Sequence, residues 1–113
     1  MAQDNAQVTI SDMSGHGYSL SYYNYSPDML AYFEERGLQG GGYTWDALIR
    51  AGSAINHLTI SKTTPDPEGD AYYATSRDLA ELEAIREIIL QLSSDRQFLE
   101  ACIAFATEAG YIE

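Results

Sequence analysis

Three carboxylates alternate with prolines and a glycine in the segment 64–70, and their spacing suggests two kinds of chemistry. Asp66, Glu68 and Asp70 could supply the oxygen ligands that a calcium loop uses. Two prolines interrupt the pattern, however, and no bidentate Glu follows at the distance that such a loop requires. We therefore expect a solvated acidic loop without a metal, whose charge could instead contact a basic partner.

The remaining candidates for catalysis are two histidines and one cysteine. His16 falls in a predicted turn and His57 at the start of a predicted strand, and neither has another His or Cys at the spacing of a metal site. Cys102 lies between apolar residues of a predicted helix, which is typical of a buried small hydrophobe. The chain carries none of the common phosphate-loop, nucleophile or zinc motifs. We expect no enzymatic activity and no cofactor.

Tyrosines offer a different chemistry, that of protein binding. Tyr18 and Tyr22 share one face of a predicted strand, whereas Tyr23 and Tyr25 share the other, because side chains alternate along a strand. We expect the second pair on an exposed sheet face together with Tyr73. Exposed phenol rings beside acids suit a protein interface, although ordinary strand composition explains them equally well. The predicted partner-binding residues are Tyr23, Tyr25, Asp66, Glu68, Asp70 and Tyr73.

The charge balance of the chain excludes several partners. Its 113 residues include 17 Asp and Glu against 6 Lys and Arg, a formal net charge of −11. Nucleic acid and anionic membrane surfaces attract clustered Lys and Arg, so we expect neither as a partner. The first ten residues lack a signal-peptide pattern, and no apolar run approaches the ~18–20 residues of a membrane span. We expect a cytoplasmic protein.

Hydrophobic periodicity and capping residues predict the elements that must position these side chains. In chain order they are strands at 7–11 and 18–23, helices starting at Ser26 and Thr44, a strand at 57–63, the acidic loop 64–70, a strand at 71–75, and helices starting at Ser76 and Ser94-Asp95. The order ββααββαα predicts an α+β fold, with one four-stranded antiparallel sheet and helices packed on one face. We expect a single domain over residues 1–113.

A second group of residues lies between the first two predicted helices. Glu35-Arg36-Gly37 ends one helix, a glycine-rich loop follows, and Gly42-Tyr43-Thr44-Trp45 opens the next. This arrangement resembles the immunity protein 51 family of bacterial polymorphic-toxin systems, and the order of the later elements also fits that family. The motif residues are Glu35, Arg36, Gly37, Gly42, Tyr43 and Trp45.

The resemblance implies a cytoplasmic protein that binds one cognate toxin domain, encoded by an adjacent gene, and occludes its active site. We expect the motif itself to mark the fold: Trp45 belongs to an apolar stripe, and Arg36 can tie the loop to an acid or a carbonyl. Two other classes stay open. One is a small acidic secretion chaperone that binds one effector; the other is a small hydrolase or transferase that pairs an acid with His16 or His57.

Overall fold

The computed structural model describes residues 7–23 and 27–112, and within them the chain forms four strands and four helices. The elements are β1 (Gln7–Asp12), β2 (Tyr18–Tyr23), α1 (Pro27–Glu35), α2 (Gly42–Ile55), β3 (Thr63–Pro67), β4 (Tyr72–Ser76), α3 (Leu79–Ser94) and α4 (Arg96–Ala109). Their order and mixed composition confirm the predicted α+β fold, ββααββαα.

All four strands belong to one antiparallel sheet in the order β1-β2-β4-β3. β1 and β2 form an antiparallel hairpin. Its turn places Gly15 and Gly17 at positive φ, and the Met13 N–H donates to the Gly17 carbonyl at 2.9 Å. Since β1 and β3 are the outer strands, β2 and β4 form the centre of the sheet, which the helices cover.

The helices cover one face of the sheet. Along β4, Tyr72, Ala74 and Ser76 are buried, whereas Tyr73 and Thr75 between them are exposed. Successive side chains of a strand point to opposite faces, so this alternation marks one covered face and one uncovered face. α2 and α3 provide the contacts with β4 on the covered side.

Trp45 occupies the centre of the core and has no exposed surface. Its ring meets the rings of Tyr22 and Phe33 edge to face, with centroids 4.8 and 5.6 Å away. This geometry is favourable because the positive ring edge approaches the negative ring face. The contacts join α2 to β2 and α1, and they confirm the prediction that Trp45 belongs to the core.

A close approach of three helices depends on Gly52 in α2. A Cβ at this position would lie 2.9 Å from Ile88 Cγ2 and 3.2 Å from Phe98 Cζ. The missing side chain therefore lets α3 and α4 pack closely against α2, at some cost in helix propensity.

The predicted strand at 57–63 is wrong over 57–62, and only Thr63 belongs to a strand. α2 ends at Ile55, and the chain turns at His57, which has a φ of +58°. The backbone N–H groups of Ser61 and Lys62 then donate to the carboxylate of Glu81, not to a neighbouring strand. The third strand is Thr63–Pro67, which includes prolines because β3 is an edge strand.

Two predicted helix starts also need correction. Thr44 does not cap α2: Gly41 is the N-cap, and the buried Thr44 hydroxyl accepts a hydrogen bond from the Gly40 N–H at 3.0 Å. The cap of α3 is Asp78, two residues after Ser76. The predicted start at Ser26 lies outside the described residues. The last start is confirmed, because the side chain of Asp95 accepts a hydrogen bond from the Phe98 N–H.

Candidate functional site

The acidic segment lies on the edge strand and in the turn that follows it. Asp66 belongs to β3 and pairs with Tyr73 of β4. Glu68 and Asp70 lie in the turn between the two strands, residues 68–71, which we call the acidic turn. All three carboxylates belong to exposed residues. The predicted loop 64–70 is thus wrong over 64–67, where the backbone pairs with β4, and correct over 68–70.

Exposed tyrosines share a sheet face with Asp66. Tyr73 of β4 pairs with Ser21 of β2, and Tyr23 lies two residues after Ser21 in β2. The rings of Tyr73 and Tyr23 therefore project from the same face of the sheet. Tyr23 is 49% exposed and Tyr73 is 38% exposed. We call the uncovered side of the sheet the open face; its described members are Thr9, Ser11, Ser19, Ser21, Tyr23, Thr64, Asp66, Tyr73 and Thr75. None of these residues is basic.

The other predicted tyrosines divide as follows. Tyr22 is buried and Tyr18 is half-buried on the covered face, which confirms their predicted separation from Tyr23. Tyr25 lies outside the described residues. The structure therefore brings together three of the predicted contact residues, Tyr23, Asp66 and Tyr73, on the open face.

The acidic turn packs against the glycine-rich loop. A Cβ at Gly41 would overlap the carbonyl oxygen of Gly69, and a Cβ at Gly42 would overlap those of Glu68 and Ala71. The backbone of residues 68–71 therefore lies directly on the start of α2, and only glycine permits this approach. The glycine-rich loop therefore connects the two helices and also fixes the backbone that carries the acids at 68 and 70.

Tyr43 differs from its expected structural role. Its neighbours Gly42 and Thr44 are buried, yet Tyr43 is 58% exposed in the first turn of α2. A sequence signal for this exists. Tyr43 precedes Trp45 by two residues, about 200° around a helix, so it lies away from the apolar stripe. It is a candidate contact residue beside the acidic turn.

Arg36 has the tying role that its position predicts. Its guanidinium donates to Glu100 Oε2 at 2.5 Å, and the Tyr32 hydroxyl donates to the same oxygen at 3.0 Å. The guanidiniums of Arg36 and Arg96 lie 4.4 and 4.1 Å from the centre of the Tyr32 ring. Burial raises the pKa of Tyr32, which stays a neutral donor. This cluster joins α1 to α4.

The first and third motif positions frame the same helix end. Glu35 is the exposed last residue of α1, and Gly37 has a φ of +73°, which favours glycine. Arg36 and Trp45 therefore stabilise the fold through their contacts, as expected of the motif. Tyr43 is the motif residue that is exposed in the first turn of α2.

A groove that sequence reasoning missed lies between α2 and β3. It has a volume of about 360 Å³, and its walls include Leu58, Pro65 and Tyr72, with Asp46 and Arg50 among its polar groups. Desolvation raises the pKa of Asp46, and the positive charge of Arg50 offsets part of this rise. Burial also raises the pKa of Tyr72, to which the nearby Asp46 charge adds. Neither histidine is part of this lining.

The remaining chemistry-bearing residues lie apart from one another. His16 is exposed in the β1–β2 turn and His57 is exposed after α2. Cys102 is fully buried, which confirms its predicted place in the core, and desolvation raises the pKa of its thiol to about 11. Within residues 7–23 and 27–112, no three His, Cys, Asp or Glu side chains are grouped as metal ligands would be.

Comparisons with known proteins give no direct assignment. No protein-family model, curated protein or solved structure matches the chain. In the described part of the chain, no helix combines the length and the hydropathy needed to cross a membrane.

Proposed function

We propose that the protein is a cytoplasmic immunity protein that binds one cognate bacterial toxin domain and neutralises it by covering its active site. The observation that carries this proposal is the open face. Its described members include two exposed tyrosines and an acid, and no base. Tyrosine gives large contact area at low side-chain entropy, which is what a protein-binding surface needs.

Charge indicates the kind of toxin surface that this face fits. A toxin that acts on nucleic acid or nucleotides needs a basic cleft to hold phosphate groups. Residues 57–113 carry eleven acids and four bases, a net charge of −7, against −4 for residues 1–56. The half of the chain that contributes β3, β4 and the acidic turn is thus the more negative. Opposite charges on two partners accelerate their encounter and disfavour wrong partners.

The motif resemblance supports the same proposal. The residues that resemble the immunity protein 51 family surround the loop on which the acidic turn lies, from Glu35 to Trp45. An inhibitor that works by occlusion needs a rigid surface, because ordering a flexible one on binding costs affinity. The buried glycines at 41 and 42 provide such a support for residues 68–71.

Co-expression tests the proposal. The toxin domain encoded by the adjacent gene is induced in a bacterial host with this chain, and separately with a matched version that carries an early stop codon. We expect survival with the intact chain and death with the truncated one. If cells die equally in both cultures, or if the neighbouring product does not kill, the immunity function is refuted.

A further inference from the structure

We propose that Tyr43 is an anchor residue for the toxin and that its contact region, with the acidic turn, continues the open face around the end of the sheet. This inference rests on the proposed function. It assigns a binding role to a motif position whose neighbours at 42 and 44 are buried. The occupant is the basic rim of the toxin's cleft.

The backbone of Tyr43 lies close to the acidic turn. The backbone of Gly42 lies against the carbonyl oxygens of Glu68 and Ala71, and that of Gly41 lies against Gly69. Tyr43 is the next residue along the chain, so its backbone is held beside the acidic turn. Two segments that are far apart in sequence therefore form one surface region.

Tyr43 is also exposed. At 58%, Tyr43 is more exposed than the tyrosines of the open face, although it belongs to a well-formed helix. Tyrosine is enriched among the residues that dominate binding energy at protein interfaces. The residue therefore combines a fixed backbone with an available ring, which limits the entropy lost on binding.

The acidic turn connects the open face to the start of α2. Asp66 and Tyr73 pair across β3 and β4 on the open face, and the turn that joins these strands carries Glu68 and Asp70. The backbone of this turn packs against Gly41 and Gly42, which directly precede Tyr43. Residues 41–43 and 66–73 include acids and aromatic rings and no base, so a surface built from these segments complements a basic partner and repels an acidic one.

Affinity measurements with the toxin domain from the adjacent gene test the anchor. We expect Tyr43→Ala to weaken binding by about tenfold or more, since anchor tyrosines are worth that much in interfaces. The control is Leu90→Ala, because Leu90 is 39% exposed on α3 and lies outside the proposed region. We expect this control to bind as the unaltered chain does. Thermal unfolding verifies that both variants remain folded.

The outcomes separate the inference from the proposed function. If the unaltered chain binds the toxin and Tyr43→Ala changes the dissociation constant by less than about threefold, the anchor is refuted and the immunity function stands. If the unaltered chain does not bind the toxin, both fail. A loss that Tyr43→Phe largely restores supports contact through the ring.

Discussion

The α-carbon of Gly42 lies so close to the carbonyl oxygen of Ala71 that no side chain fits between them. This contact joins the start of α2 to the end of the β3–β4 turn, and it fixes the acids of that turn relative to Tyr43. The arrangement of the candidate interface therefore depends on backbone packing between two segments that are distant in sequence.

Replacing Gly42 by alanine should destabilise the protein by about 3 kcal/mol or more, because the new methyl group meets backbone oxygens that cannot rotate away. Urea unfolding measures this change. Gly69→Ala is the matched control within the same turn, since a Cβ there has no neighbour within 4 Å. Equal stability of the two variants would contradict the close contact between Gly42 and the backbone of residues 68–71.

The carboxylate of Glu81 should make stability depend on pH. Desolvation tends to raise its pKa, but hydrogen bonds from Thr63, Ser61 and Lys62 together lower it below the ordinary value of 4.5. A lowered pKa in the folded state stabilises the protein above pH 4.5, and this contribution disappears as the pH falls through the folded-state pKa.

Glu81→Gln should therefore lower the urea midpoint at pH 7 and leave a smaller difference from the unaltered chain at pH 3. The control is Glu83→Gln, an exposed position on the same helix. If both variants lose the same stability at both pH values, Glu81 does not hold the segment before β3.

Cys102 should be unreactive in the folded protein. Burial raises the pKa of its thiol to about 11, so the reactive thiolate is scarce at pH 8 and is shielded from reagents. A disulfide reagent should label it slowly in buffer and rapidly in 8 M urea. Fast labelling in buffer without urea would show that the contact between α2 and α4 opens readily.

Charge reversal should slow association with the toxin. Asp66→Lys, Glu68→Lys and Asp70→Lys together should lower the association rate by about tenfold or more at low salt, and by less at 0.5 M salt. A control with the same net charge carries Glu83→Lys, Glu87→Lys and Glu108→Lys, three exposed helix positions. Unchanged affinity at low salt would remove the acidic segment from the interface.

Local signals predicted most of the elements correctly. Alternation identified β2, and the strand predicted at 71–75 lies within one residue of β4. Asp95 marked the start of α4, where its side chain accepts a hydrogen bond from the Phe98 N–H. Gly110 ends the same helix at a φ of +81°, a backbone conformation that favours glycine. In each case the residues that determine the structure lie within a few positions of the element.

The errors arise where distant residues decide. Leu58 and Ile60 alternate as a strand would, but Glu81 binds the backbone of residues 61 and 62 and pairing with β4 begins at Thr63. The prolines of β3 suggested a loop, although an edge strand tolerates them. The seating of residues 68–71 on the glycine loop, and with it the setting of Tyr43, is likewise a long-range contact that no local pattern contains.

Calorimetric titration of this chain into the folded domain encoded by the adjacent gene, which we propose to be the toxin, tests the central claim most directly. We predict a 1:1 complex with a dissociation constant of about 10 nM or tighter, and loss of toxin activity that is complete at equimolar ratio. A secretion chaperone would instead bind an extended segment of its effector. Binding to such a segment without binding to the folded toxin domain would contradict the immunity function.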